Sequence, residues 1–158
     1  MHPLVKIRKA TVDDLPAMKE MDRVSPTSSH WTETQFDDLL RQERLVLLAC
    51  SENSSHTPDT EGTLLGFVVA RQIAPEWELE NIVVTAAARR KGIGKRLLEA
   101  ILEAARKTNS EAVFLEVRES NHAARSLYEK SGFTQTGRRK SYYANPLEDA
   151  ILYRLSSG

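Results

Sequence analysis

A short apolar strand in this chain runs straight into Arg89-Arg90-Lys91-Gly92-Ile93-Gly94-Lys95-Arg96, and that segment opens a helix. Leu79 to Val84 reads as the strand. Ile93, Leu97, Leu98, Ile101, Leu102 and Ala105 recur at helical spacing and predict one buried stripe. Gly92 and Gly94 fall where the helix begins, and a residue without a side chain lets a ligand approach the backbone closely. The first turn of a helix carries unpaired N–H groups and the positive end of its dipole, which suits an anion, typically phosphate. Arg89, Arg90, Lys91, Lys95 and Arg96 crowd the same segment in a chain whose formal net charge is zero. The segment reads as a diphosphate cradle; a solvated basic helix start is the alternative. Two common phosphate loops are excluded by spacing. Gly94-Lys95 is followed by Arg96 instead of Ser or Thr, and Gly92-Ile93-Gly94 lacks the third glycine of the dinucleotide fingerprint.

Composition narrows the class. The 158 residues fit one domain with one core. No apolar run reaches the roughly 20 residues that span a bilayer, and Met1 to Lys9 lacks the apolar core of a signal peptide, so a cytoplasmic location is expected. Zero net charge speaks against a nucleic-acid binder. The single cysteine, Cys50, lies in the apolar run Leu45 to Cys50 and reads as a buried structural thiol. His2, His30, His56 and His122 are scattered, so no metal site is expected.

Leu4 to Arg8 alternates and predicts a strand. Thr11 with Asp14, and Thr32 with Gln35, mark two helix starts. Leu15, Met18, Met21 and Val24 form the stripe of the first; Phe36, Leu39 and Leu40 form that of the second. Leu45 to Cys50, Leu64 to Ile73 and Trp77 to Val84 predict strands, with Gly66 marking a bulge or a close contact. Ser51 to Gly62 reads as a long hairpin loop. The helix after the glycine loop reaches about Lys107. Ala112 to Val117 is a strand, Asn121 caps a helix ending near Gly132, and Phe133 to Tyr143 and Ala150 to Leu155 close the chain. The order β-α-α-β-β-β-α-β-α-β-β predicts an α/β or α+β sheet of mixed direction.

Glu116 interrupts the most apolar strand. Burial there would raise its pKa toward the range of a general base; an alternate position facing solvent beside Arg118 stays open. Tyr128 shares a helical side with Ala124. It is either a core-edge aromatic or a phenol aimed into a cleft as an acid. Glu76, Glu78 and Glu80 alternate with Trp77 and Leu79; they read as a solvated strand face, with attraction of a cationic N-terminus as the alternative.

Arg89, Gly92 and Gly94 match Arg/Gln-x-x-Gly-x-Gly/Ala. Asn121, Ala124, Leu127, Tyr128, Gly132 and Phe133 match Asn-x-x-Ala-x-x-Leu-Tyr-x-x-x-Gly-Phe. Together they resemble the GCN5-related N-acetyltransferases (GNATs). Leu115-Glu116-Val117-Arg118, Arg138 to Tyr143 and Glu148-Asp149-Ala150 resemble the RimI branch, the bacterial protein N-terminal alanine acetyltransferases. The chain departs in Ser29-His30-Trp31, which keeps only the tryptophan of Phe-Pro-Trp, and in the length of the Ser51 to Gly62 loop.

The resemblance implies one GNAT domain over residues 1–158, with a central mixed, mostly antiparallel sheet and helices on both faces. It implies acetyl-CoA as co-substrate and direct acetyl transfer to a protein N-terminus, that of a ribosomal protein beginning with alanine. Ile82, Val83 and Val84 would hold the pantetheine arm, with the Val84 N–H facing the thioester oxygen. Arg89, Arg90, Lys91, Gly92, Ile93, Gly94 and Lys95 would hold the pyrophosphate, and Asn121 the cofactor near its pantetheine arm. Glu116, directly or through water, would take the proton of the ammonium; Tyr128 would protonate the departing thiolate. Trp31 and Tyr142 are the candidate acceptor contacts. Because neighbouring strand residues face opposite ways, only one of Tyr142 and Tyr143 is expected to reach the acceptor. The implied protein is a monomer or weak dimer with no metal, nucleic-acid or membrane partner. Transfer to a small amine or a lysine, or a non-catalytic acyl-CoA sensor, are the competing readings.

Overall fold

The apolar strands gather at the middle of one sheet. The computed structural model describes residues 4–26, 28, 30–41, 43–52 and 62–157. His2, His56, Ser29 and most of the Ser51 to Gly62 loop therefore lie outside the described residues. The strands are β1 (Val5–Lys9), β2 (Leu45–Ser51), β3 (Leu64–Ile73), β4 (Glu76–Val84), β5 (Ala112–Arg118), β6 (Thr134–Tyr143) and β7 (Glu148–Ser156). The helices are α1 (Leu15–Val24), α2 (Glu33–Asp38), α3 (Ile93–Lys107) and α4 (His122–Lys130). The sheet order is β1-β2-β3-β4-β5-β7-β6. Only β4 and β5 run parallel; the other neighbours are antiparallel. The element order and the mixed, mostly antiparallel sheet are as expected, with ends shifted by a residue or two.

Both faces of the central strands are covered, which explains their unbroken apolar runs. Leu47, Ala49, Val68 and Ala70 pack under α3 through Leu97, Leu98 and Ile101, beside Tyr128 of α4. Val46, Leu48, Cys50, Phe67 and Val69 pack under α1 and α2 through Met18, Met21, Phe36 and Leu39. Cys50 is buried, as expected. Val24 departs from its predicted stripe and is 60% exposed at the end of α1.

The helix starts follow their caps. Thr32 Oγ1 accepts the Gln35 N–H at 3.2 Å, and the Thr32 N–H donates to Gln35 Oε1 at 2.7 Å. At Thr11 the N–H donates to Asp14 Oδ2 at 2.8 Å, and a 3-10 turn, Val12–Asp14, comes before α1. None of the helices among the described residues is long and apolar enough to cross a membrane.

One irregularity positions the site. The register of β3 against β4 slips between Val69/Asn81 and Ala70/Leu79, leaving Glu80 as an extra residue. Trp77 and Leu79 point to the α3 core, yet so do Ile82 and Val84, while Val83 faces α1 and α2. The bulge has reversed the alternation. On the other side, β4 pairs with β5 only from Glu76/Ala112 to Leu79/Leu115. Beyond that the two parallel strands part. Glu80 to Val84 and Glu116 to Arg118 then face a gap inside the sheet.

Candidate active site

The gap opens beside the start of α3. Arg90 and Gly92 both take positive φ, 65° and 77°, which turns the chain from the strand end into the helix. Gly92 is the N-cap, and no side chain caps the helix. A Cβ at Gly92 would meet nothing within 4 Å. The first intrahelical bond runs from Arg96 N–H to Gly92 O at 3.1 Å. The amides of the turn before it thus lack an intrahelical acceptor. Arg89, Arg90, Lys91 and Lys95 are exposed around it. Lys95 comes no nearer than 4.0 Å to Glu99, and Arg96 instead donates to Val5 O at 2.9 Å. Gly94 has a different reason to be glycine. A Cβ there would lie 3.3 Å from Leu127 and 3.7 Å from Val84, so a small residue lets β4, α3 and α4 converge. Ile93 is buried in the core under the turn.

Two candidate side chains lie on opposite faces of the sheet. Tyr128 sits on the α3 and α4 side, 2% exposed, with its ring 5.7 Å from Phe133 and 6.1 Å from Tyr153. Burial pushes its phenol well above the ordinary tyrosine range, and the nearby Tyr143 phenol adds to this. Glu116 sits on the other side. Of the two readings left open, the alternate position holds: alternation in β5 turns it away from the Leu115 and Val117 core. Its side chain is 21% exposed and pairs with Arg139 at 3.2 Å.

Glu116 belongs to a cleft of about 290 Å³ lined by Trp31, Asp38, Arg44, Glu78, Glu80, Tyr142 and Tyr143, among others. Tyr142 and Tyr143 both reach it, against the expectation that only one would. Arg139 pairs with Ala150 and Tyr143 with Glu148, so Lys140, Ser141 and Tyr142 all bulge out opposite Asp149. Ser141 takes a φ of 51° there, and its N–H donates to Asp149 Oδ1 at 2.8 Å. The bulge swings both rings to one side, 5.0 Å apart and edge to face. Burial raises the Tyr142 pKa, and the Glu116 carboxylate raises it further.

Glu78 and Glu80 also correct the solvated-face reading. Glu80 pairs with Arg44 at 2.6 Å, both side chains largely buried, and Glu78 with Arg71 at 2.9 Å. Glu76 pairs with Arg154. Arg44 and Arg118 were given no role by the sequence reading. Arg118 had one signal, its place two residues after Glu116 on a strand of period two. Trp31 lines the cleft and also a second hollow of about 450 Å³ between α1 and α2. The Asn121 side chain accepts the Ala124 N–H at 3.2 Å and so caps α4. Among the described residues, no cluster of three metal-ligating side chains is gathered.

Comparison with known proteins agrees with this geometry. The family model described as "Acetyltransferase (GNAT) family" matches residues 13–133. The [ribosomal protein bS18]-alanine N-acetyltransferase of Escherichia coli K12 is 31% identical over 144 residues, 90% of this chain and 90% of that protein. A crystal structure of the ribosomal-protein-S18-alanine N-acetyltransferase from Escherichia coli superposes with a TM-score of 0.79 at 28% identity, covering 98% of this chain and 97% of that one. Ard1 from Thermoplasma volcanium gives 0.83 at 25% identity, covering 98% of each chain. With the family model matched from residue 13 to residue 133, the chain belongs to the acetyltransferase (GNAT) family.

Proposed function

We propose that residues 1–158 form one acetyl-CoA-dependent N-acetyltransferase domain that moves an acetyl group directly to a protein's N-terminal α-amine, that of a ribosomal protein beginning with alanine. The parting of β4 from β5 supports this most. It brings an unpaired strand edge, an uncapped helix start and two groups suited to proton transfer around one gap. The alanine acceptor rests on relatives named for alanine acetylation of ribosomal protein bS18.

The chain suits the co-substrate at each end. The free turn at Gly92 to Lys95, ringed by Arg89, Arg90 and Lys91, would take the pyrophosphate. The backbone of Ile82 to Val84, facing no strand beyond Leu79, would hold the pantetheine arm as an added strand. Asn121, at the start of α4, would flank the same arm. Acetyl-CoA supplies the acetyl group as a thioester. The Val84 N–H would donate to the carbonyl oxygen as charge grows there.

On the acceptor side, Glu116 takes a proton from the substrate ammonium, which titrates near pKa ~7.7–8.0. Arg139 holds the carboxylate in place. Tyr128 keeps its proton well into alkaline solution and gives it to the departing thiolate. Trp31 and Tyr142 flank the amine, and the hollow beyond Trp31 leaves room for a chain that continues past the first residue. That room favours a protein over a small amine. Peptides varied at their first two residues, assayed against polyamines, test the reading. Alanine-first peptides should be turned over best; a preference for polyamines would replace the protein acceptor with a small one.

A further inference from the structure

Arg118 ends β5 on the Glu116 face, one alternate position further on. Its side chain is 2% exposed and lies behind the lining of the cleft. Nε donates to Ser28 O at 2.9 Å, in the segment joining α1 to α2. Nη2 donates to Ala144 O at 2.9 Å and Nη1 to Pro146 O at 3.0 Å, in the turn joining β6 to β7. Nη1 also meets Glu148 Oε1 at 3.3 Å, and the guanidinium lies 4.6 Å from the centre of the Tyr143 ring.

These two segments lead into two separate parts of the cleft lining. The first runs on to Trp31; the second follows directly from Tyr142 and Tyr143. The Trp31 wall has a further fastening. The Ser28 hydroxyl donates to Asp22 O at 2.9 Å, and the Asp22 carboxylate accepts the Trp31 N–H at 2.9 Å and Asn81 Nδ2 at 3.3 Å. Asn81 lies on β4, so both strands that frame the gap hold this wall.

Burying a guanidinium against one carboxylate is poor value for stability, and apolar replacements of such pairs are often neutral. What an apolar side chain cannot do is bind three carbonyls on two separate segments with one planar fork. We propose that Arg118 is a positioning residue for the acceptor: it ties the two walls of the cleft into a single shape that grips an extended chain. This rests on the cleft being the place of a protein N-terminus. An acceptor of one residue needs little of the walls; a longer peptide needs both.

The test uses the full chain carrying Arg118→Lys or Arg118→Met. Hydrogen exchange should speed up together in the peptides containing Ser28 and Ala144, with α3 unchanged. For an alanine-first hexapeptide, KM should rise on the order of 10-fold or more in Arg118→Lys. KM for alanine amide and Kd for acetyl-CoA should stay within about twofold. Lysine keeps the charge and loses the fork, so this variant carries both readouts even if Arg118→Met does not fold. Unchanged exchange at either segment, or an equal rise in KM for both acceptors, overturns the tie. If the wild-type chain acetylates neither acceptor, the acceptor reading has failed, and exchange alone then decides the role of Arg118.

Discussion

Glu116 and Tyr128 lie on opposite faces of one sheet, and in the proposed reaction they act on one bond across the gap between β4 and β5. Glu116→Gln keeps the size and loses the basic oxygen. Its kcat/KM at neutral pH should fall ~10²–10⁴-fold, with partial recovery at high pH, where the acceptor amine is already neutral. Activity near that of the wild type at neutral pH would move the base to Glu78, Glu80 or an ordered water. Tyr128→Phe removes one proton and keeps the ring. Turnover should drop on the same ~10²–10⁴ scale, while the acetyl-CoA Kd holds. The raised Tyr128 pKa adds a sign: the phenol stays protonated through the ordinary tyrosine range and loses its proton only above it. Wild-type turnover should therefore show no alkaline fall before about pH 10. A loss of less than about twofold in Tyr128→Phe would hand the proton to another group. The sequence singled out both residues, and the structure shows Tyr128 in the core and Glu116 lining the cleft. The surroundings of Glu116 were not legible in the sequence, since Arg139 and Tyr142 reach it only through the folded β6 and β7 hairpin.

Among the elements, the helix of the glycine loop was read most fully. Its stripe, Ile93, Leu97, Leu98, Ile101 and Ala105, is buried as the spacing required, with Leu102 half-buried at its edge. The two glycines proved unlike: Gly92 is set by a positive φ with open space around it, Gly94 by contact with Leu127 and Val84. Gly92→Asp should weaken acetyl-CoA binding by adding bulk and negative charge at the turn, and leave α3 folded by circular dichroism. Unchanged affinity in the folded variant would remove the cradle. The β6 bulge was illegible, because alternation assumes a regular ladder. Its register is set by Asp149, which holds Ser141 and, through Arg138, Glu119 as well. That is why one expected tyrosine became two.

Across the whole molecule, the order of elements and the helix-covered sheet could be read from apolar runs, caps and glycines. The parting of β4 from β5 could not. It depends on a bulge at Glu80 and on where a parallel pairing stops, and both are decided by packing between distant segments. The same holds for Arg118, whose partners lie 90 positions before it and 26 to 30 after it. In the proposed function the gap between β4 and β5 is where a thioester and an amine meet from opposite faces of the sheet. A peptide that begins with alanine and holds one internal lysine, incubated with acetyl-CoA and the enzyme, separates the possibilities when fragmentation mass spectrometry locates the acetyl group. The expected product carries it on the α-amine, with none on the lysine and no product when the α-amine is blocked. Acetyl-lysine formed from the blocked peptide would show that the cleft serves a different acceptor.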